Sequence, residues 1–258
     1  MPQAILERFF EAEHIRYYAS LPLSECTLLY PRKLPAYAAG VCFFLIPYRV
    51  NDKAARNVSQ YAVARDYHLY VKELEARLAP LLSGVEFALF TDNSPFAERT
   101  CAQKAGLGRF GKNRLLIHPE CGSYFFIGSI VLPFPISIAQ TGEKCKSDLC
   151  ENCERCLRAC PAARGDAPEC LAGLTQKKRV TPEEEAVIRK YPLRWGCDVC
   201  QDVCPYNKNV PDTPIEFFHK DRLPYLTPEI LCAMTDEEFA ERAYAWRGRA
   251  VIERNVNL

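Results

Sequence analysis

Residues 150–161 read Cys150-Glu151-Asn152-Cys153-Glu154-Arg155-Cys156-Leu157-Arg158-Ala159-Cys160-Pro161, a C-x2-C-x2-C-x3-C-P run without a deviation. Three thiolates at successive x2 spacing wrap one cubane from a tight loop, and the fourth, followed by proline, points away to ligate a second cluster. The reciprocal piece lies downstream, where Cys197, Cys200 and Cys204 are followed by Pro205. The eighth ligand is read as Cys170, displaced upstream by an inserted loop and helix over residues 171–196. The crossover assigns Cys150, Cys153, Cys156 and Cys204 to one cluster, and Cys160, Cys170, Cys197 and Cys200 to the other. The competing reading is a pair of structural zinc sites, but zinc favours two separated C-x2-C knuckles. The spacing therefore predicts a ferredoxin-like module with two [4Fe–4S] clusters.

Fourteen cysteines in 258 residues are too many for an average cytosolic enzyme, and the chain is too large for a disulfide-stapled mini-protein. The other six, Cys26, Cys42, Cys101, Cys121, Cys145 and Cys232, are scattered and read as small packed residues, with Cys145 the alternative ligand. A formal net charge of +1 is not that of a nucleic-acid coat protein, so any RNA contact would use a local patch. The first twenty residues carry acidic side chains within their apolar stretch and do not read as a secretory signal. The longest apolar runs, Val41–Tyr48 and Tyr124–Leu132, fall short of the ~20 residues of a membrane span. A reducing, cytoplasmic setting is expected, with no membrane and no DNA partner.

Upstream of the cysteines, residues 2–18 read as an amphipathic helix, Val41–Tyr48 as a buried strand, Asn57–Ala79 as a long helix and Val85–Thr91 as a second strand. Asn93 or Ser94 is placed to cap a helix through 96–105. A glycine-rich turn over 105–113 leads into strands at Arg114–His118 and Tyr124–Leu132, and Pro133–Lys144 reads as a linker. After Pro214 two short helices are expected, the better supported being Asp236–Trp246. The fold class is α+β: an N-terminal α/β domain over 1–140, the ferredoxin-like module over 141–212 and a helical tail over 213–258. Two clusters imply one-electron transfer to something else, which the first domain should hold.

The segments Tyr61–His68 (YAVARDYH), Asp92–Arg99 (DNSPFAER), Lys104–Asn113 (KAGLGRFGKN), Gly122–Gly128 (GSYFFIG) and Gly196–Asn207 (GCDVCQDVCPYN) are recognisable together. With Arg247-Gly248-Arg249, Arg254-Asn255 and both cysteine motifs, they span most of the chain. In this ensemble the chain resembles the epoxyqueuosine reductase family, cobalamin-dependent iron–sulfur enzymes of queuosine biosynthesis in tRNA. The resemblance implies a nitroreductase-like first domain with cobalamin bound between it and the ferredoxin module. It also implies an external electron donor and an epoxyqueuosine-containing tRNA as substrate. Asp92 matches the family's proposed acid, and burial against Val85–Phe90 and Phe96 would have to raise its pKa from about 3.9. Lys104, Gly106, Gly108, Gly111, Lys112, Asn113, Gly122, Ser123 and Tyr124 are the implied cofactor-binding residues, and Asp66, Tyr67 and His68 the implied substrate residues. Arg109 reads as solvated. Asp66-Tyr67-His68 lacks the glycine of the D-x-H-x-x-G cobalamin motif, so cobalamin is expected to bind without a histidine from this chain.

The chain stops at Leu258, where many members of the family continue into helical repeats that grip tRNA. Lys177, Lys178, Arg179, Arg189, Lys190, Arg194, Arg242, Arg247, Arg249 and Arg254 remain as basic residues for phosphates, and Tyr191, Trp195 and Trp246 as aromatics for splayed bases. Two other readings stay open: a related reductase of a small molecule such as an organohalide, and a ferredoxin-type electron carrier without cobalamin.

Overall fold

A computed structural model describes residues 2–51, 55–145 and 150–258. The chain divides into two compact units, Met1–Pro47 with Tyr70–Glu151, and Tyr48–Leu69 with Asn152–Leu258.

The first unit is built on a four-stranded sheet. Its strands are β1 (Tyr18–Ser20), β2 (Gly40–Pro47), β3 (Ala88–Thr91) and β6 (Phe125–Leu132), in the order β1-β2-β6-β3. A separate two-stranded ribbon pairs β4 (Arg109–Phe110) with β5 (Leu116–Ile117). Every pair in the larger sheet is antiparallel. The unit mixes helix and strand without the parallel crossovers of a doubly wound fold. The two central strands, β2 and β6, are the two continuous apolar runs of the sequence, because a strand covered on both faces has no polar side to alternate with. Val41, Phe43 and Leu45 face a core that includes Phe96 and Cys101, while Phe44 packs on Phe10 at 5.2 Å. Gly128 lies opposite Phe44, and a Cβ there would stand 2.2 Å from the Phe44 ring. The glycine is thus set by close aromatic packing across the central strands.

The first helix, α1 (Pro2–Ala12), buries Leu6, Phe9 and Phe10 and ends six residues earlier than its apolar spacing suggests. His14 takes a left-handed φ of 58°, which turns the chain into β1. The long helix expected over 57–79 is also shorter: α2 runs from Tyr67 to Leu78, preceded by a 3-10 turn at Gln60–Ala62. Residues 57–60 leave helical geometry because distant partners in their own unit claim the backbone. Ser59 N–H donates to Trp195 C=O at 2.7 Å, and Asn57 both donates to Leu226 C=O (2.7 Å) and accepts its N–H (2.8 Å).

The second unit is mainly short helices: α4 (Arg155–Ala159), α5 (Leu171–Gln176), α6 (Pro182–Lys190), α7 (Val199–Asp202), α8 (Pro228–Ala233), α9 (Asp236–Ala240) and α10 (Arg249–Asn257). A Thr181–Glu184 capping box starts α6, and a Thr235–Glu238 box starts α9. Each such cap satisfies backbone donors that are otherwise orphaned, for about 1 kcal/mol. Asp236–Trp246 is α-helical only to Ala240, with a 3-10 turn at Ala245–Arg247, and α10 beyond it goes unforeseen in the sequence pattern. One core joins Val58 and Val63 to Trp195, Tyr244 and Ile252, and a smaller one gathers Leu171, Leu174 and Ile188.

Candidate functional site

In the second unit α4 and α7 pack against each other and carry Cys156 and Cys200. Cys156 and Cys204 are buried, Cys153, Cys160, Cys197 and Cys200 are half-buried, and Cys170 is exposed. Burial first, and then the neighbouring thiols Cys170 and Cys160, push the Cys197 thiol up to about 12. Cys200 rises to about 12 through burial and then through Cys197, Cys170 and Cys160. The four thiols that the crossover assigns to one cluster are therefore electrostatic neighbours. Four thiolates sharing one pocket repel each other until a cationic centre binds them, which is the chemistry of a cluster site. Among the described residues no three His, Cys, Asp or Glu side chains converge on a single ion. A four-iron cubane holds its ligands on a wider shell than one ion does. Cys150 belongs to the first unit, and its Sγ lies 3.6 Å from where a Cβ on Gly111 would stand. Cys145 directs its thiol to Ile117 C=O at 3.7 Å.

Asp198, between Cys197 and Cys200, ties this loop to residues 56–60. Its carboxylate accepts the Ser59 hydroxyl at 2.5 Å and the Gln60 N–H at 2.6 Å, with the Arg56 guanidinium at 3.3 Å. The carboxylate is buried, so these donors replace water.

The first unit holds a cavity of about 460 Å³. Its walls are largely apolar, from Leu29, Phe96, Phe110, Leu116, Phe125 and Ile127, and Asp92, Glu98, Arg99 and Ser123 supply polar groups. Asp92 follows the last residue of β3, where Thr91 is anchored by its hydroxyl to Ile127 C=O at 3.1 Å. Asn93 N–H closes on Thr91 C=O at 2.6 Å, which makes Asp92 the centre of a three-residue turn at φ 55°. Such left-handed γ-type turns are rare and strained for a residue with a Cβ. Ser94 does not cap α3 (Glu98–Lys104); its hydroxyl accepts the Phe96 N–H at 3.1 Å, and the cap position is Ala97.

The burial expected for Asp92 falls instead on its neighbour. Asp92 is exposed. Burial, and after it the Asp92 carboxylate, push Glu98 up to about 8. Glu98 Oε2 accepts the Asp92 N–H at 3.1 Å, while its buried Oε1, with Ser94 close by, makes no hydrogen bond of normal geometry. Glu98, Phe110 and Leu29 were not singled out from the sequence, because only the fold brings them to one cavity.

The glycine turn follows α3. Gly106, at φ 87°, stops that helix. A Cβ on Gly108 would meet Leu116 Cγ at 2.6 Å, and one on Gly111 would meet Ile117 Cδ1 at 2.6 Å, so β5 lies tight against the turn. Lys104 donates to Glu25 C=O at 2.7 Å, and Lys112 to Glu151 C=O at 3.3 Å. Asn113 accepts the Leu115 N–H at 3.2 Å and keeps a buried Nδ2 with no partner. Gly122 exchanges hydrogen bonds with His118 (2.7 and 2.9 Å), Ser123 lines the cavity and Tyr124 is buried. The aromatic wall of Phe96, Phe110, Phe125 and Phe126 suits a flat apolar face, while the unpartnered Asn113 amide and the exposed Arg109 belong to the glycine turn and not to the residues that line the cavity.

Asp66, Tyr67 and His68 stand together in the second unit. Asp66 Oδ1 accepts the His68 N–H at 3.0 Å and meets its Nδ1 at 2.8 Å, and Tyr67 lies against the His68 ring at 4.3 Å. Much of the basic set is spent on the chain's own carbonyls. Arg247 donates to Gln176, Arg249 to Leu231, Met234 and Thr235, Arg254 to Lys177, Arg242 to Asp221 and Arg194 to Tyr191. Lys177 pairs with Glu169 and Glu184. Lys178, Arg179, Arg189 and Lys190 stay exposed. Of the aromatics, Trp195 is fully buried, while Trp246 is 62% exposed with the Arg247 guanidinium over its ring.

Residues 149–207 match the family model of a 4Fe-4S double cluster binding domain. An epoxyqueuosine reductase of Leadbetterella byssophila is 32% identical over 206 residues, covering 75% of this chain and 67% of that protein. The chain spans about half the length of several other curated epoxyqueuosine reductases that it matches. Among solved structures, an epoxyqueuosine reductase from Streptococcus thermophilus superposes with TM-score 0.75 at 22% identity, over 99% of this chain and 80% of that one. An epoxyqueuosine reductase solved with an epoxyqueuosine-modified tRNA-Tyr stem loop gives TM-score 0.75 at 23% identity, over 98% and 80% of the two chains.

Proposed function

The chain belongs to the epoxyqueuosine reductase family, and we propose that it reduces epoxyqueuosine to queuosine in tRNA. Both carbon–oxygen bonds of the epoxide break, and the oxygen leaves as water. Two electrons and two protons are consumed and a carbon–carbon double bond forms. The observation that carries the reading is one chain holding both a double-cluster motif and an aromatic cavity with a carboxylate at its mouth. The motif answers the need for electrons and the carboxylate the need for a proton donor.

Cys150, Cys153, Cys156 and Cys204 would hold one [4Fe–4S] cluster, and Cys160, Cys170, Cys197 and Cys200 the other, fed by an external electron donor in the cytoplasm. Cobalamin, when bound, would supply a low-potential cobalt centre able to collect electrons singly and deliver two. Phe110, Phe125 and Phe126 would form the dry wall against its face. The turn from Gly106 to Asn113, with Lys104, Lys112, Gly122, Ser123 and Tyr124, would hold its amide fringe. The Cys150 thiol stands beside Gly111, next to the cavity-lining Phe110, which supports electron entry on that side. Asp92 would hold the proton for the departing oxygen. It is exposed here, and substrate closing the cavity mouth would supply the burial that a proton donor needs. Asp66, Tyr67 and His68 would contact the modified nucleoside. Trp246 offers a stacking face, and Lys178, Arg179, Arg189 and Lys190 offer cations for phosphates, in a salt-dependent contact.

The test uses anaerobically reconstituted full chain, desalted after incubation with cobalamin and given an epoxyqueuosine-containing tRNA stem loop with a strong reductant. Retained corrin and conversion to queuosine are expected. Asp92→Asn should keep clusters and corrin while turnover falls by about 100-fold or more. Clusters without retained corrin would make an electron carrier the better account. Retained corrin with turnover of an aryl halide but not of the RNA would point to a small-molecule reductase.

A further inference from the structure

The turn at Asp92 is strained, and something must hold it. We propose that Glu98 is the positioning residue of this turn: its carboxyl takes the Asp92 N–H and so fixes the Asp92 side chain at the cavity mouth. The inference rests on the reading of Asp92 as the proton donor.

Three observations in the first unit carry it. Asp92 sits at φ 55° inside a turn closed by Asn93 N–H on Thr91 C=O. Left alone, a residue with a Cβ leaves such a conformation for a gain of about 1–3 kcal/mol. The Asp92 N–H points away from that turn and is taken by Glu98 Oε2 at 3.1 Å, a hydrogen bond that spans from the turn to α3. Glu98 is also costly to keep where it is, since its carboxyl is buried and its Oε1 makes no hydrogen bond of normal geometry. A glutamate with no task at this place would be readily replaced by an apolar or amide side chain. Burial and the Asp92 carboxylate favour its neutral form, and a neutral acid accepts the N–H without repelling the carboxylate it serves.

The test compares Glu98→Ala and Glu98→Gln in the reconstituted full chain, with turnover of the epoxyqueuosine stem loop and amide hydrogen exchange of a peptide spanning Asp92. Alanine removes the acceptor; glutamine keeps a carbonyl oxygen for it. Glu98→Ala should lower kcat at least about tenfold with KM within about threefold, since a misplaced donor harms the chemical step more than binding. It should also speed exchange at Asp92 several-fold. Glu98→Gln should recover most of both. Native turnover and native exchange in Glu98→Ala would overturn the proposal, as would a glutamine variant as impaired as alanine. Asp92→Asn separates the two levels. If Asp92→Asn is inactive while Glu98→Ala is native, only the positioning role fails. If Asp92→Asn turns over normally, the reading of Asp92 as acid fails, and the exchange data still report whether Glu98 holds the turn.

Discussion

Removing the Asp198 carboxylate should loosen the second cluster loop more than any other single polar change in that unit. Asp198 is 3% exposed and satisfies two buried donors, the Ser59 hydroxyl at 2.5 Å and the Gln60 N–H at 2.6 Å. In Asp198→Ala both donors lose their acceptor in a buried part of the unit. At about 1–3 kcal/mol for each of the two orphaned groups, the cost is about 2–6 kcal/mol. Arg56 keeps Asp202, both of whose carboxylate oxygens meet one guanidinium nitrogen (Nη2) at 2.7 and 2.9 Å, so its charge is not stranded and adds little. In Asp198→Asn one acceptor oxygen remains and the Ser59 hydroxyl can turn to accept from the new amide. Two charge-assisted bonds become neutral ones while a buried charge is relieved, for a net cost of about 1–2 kcal/mol. For a chain of this size these figures correspond to a Tm lower by about 4–24 °C in Asp198→Ala and by a few degrees in Asp198→Asn.

The assay is thermal unfolding of anaerobic holoprotein, followed by cluster absorbance and by tryptophan fluorescence, with iron counted before heating. Trp195 is a built-in reporter, because Ser59 N–H bonds to its carbonyl and Tyr61 Oη accepts its indole N–H at 2.7 Å. The alanine variant should lose cluster absorbance before the bulk of the fold melts, with iron lost from the cluster of Cys197 and Cys200. An alanine variant with full iron and a Tm within 2 °C of the parent would refute the reasoning, since the tie would then carry no load.

Two further outcomes are expected. Cys153→Ala should lose the iron of one cluster and the order around α4, by coupling of metal binding to folding, and a variant retaining its full iron would overturn the ligand assignment. Glu98, raised to about 8 in the fold against an ordinary value near 4.5, makes the folded chain bind the extra proton. Stability is therefore whole at pH 4.5 and below and is lost as pH rises toward 8, by up to about 4 kcal/mol. Glu98→Gln should flatten that slope between pH 5 and 8.5, and parallel pH profiles for the two proteins would show that Glu98 is not the titrating group.

The cluster motif was legible because most of its chemistry is local: the ligands that wrap one cubane from a tight loop are written as spacing, and the family model matches the stretch that carries both runs. The two central strands were legible for a related reason, since Val41–Ile46 and Ile127–Leu132 are buried on both faces and carry no polar alternation. Residues 57–66 were not legible. Their apolar spacing suits a helix, but Asn57 bonds to Leu226 and Gln60 to Asp198, partners more than 130 residues away. Tertiary hydrogen bonds outweigh a propensity of a few tenths of a kcal/mol per residue. The site was legible only in part for the same reason. Asp92 and Glu98 stand in the same segment, DNSPFAER, but Glu98 becomes special only where the fold turns its carboxyl onto the Asp92 N–H.

The two units differ in what can hold them together. In the first, a four-stranded sheet with α1 on one face and α3 on the other encloses a core of large side chains, including Phe10, Phe43, Phe44 and Phe96. Each fully buried aromatic of that kind contributes about 2–3 kcal/mol. In the second, the elements around the cysteines are helices of four to six residues, α4, α5 and α7, and the small core beside them buries only Ala167, Leu171, Leu174 and Ile188. Helices so short do not persist on their own, because nucleation costs more than one turn returns. What orders them must come from outside propensity and packing. The thiols of Cys160, Cys170, Cys197 and Cys200, gathered but mutually repelling when ionised, are the groups able to supply it once iron is bound. Clusters bound in this module would on this argument be its missing core as well as its redox centres.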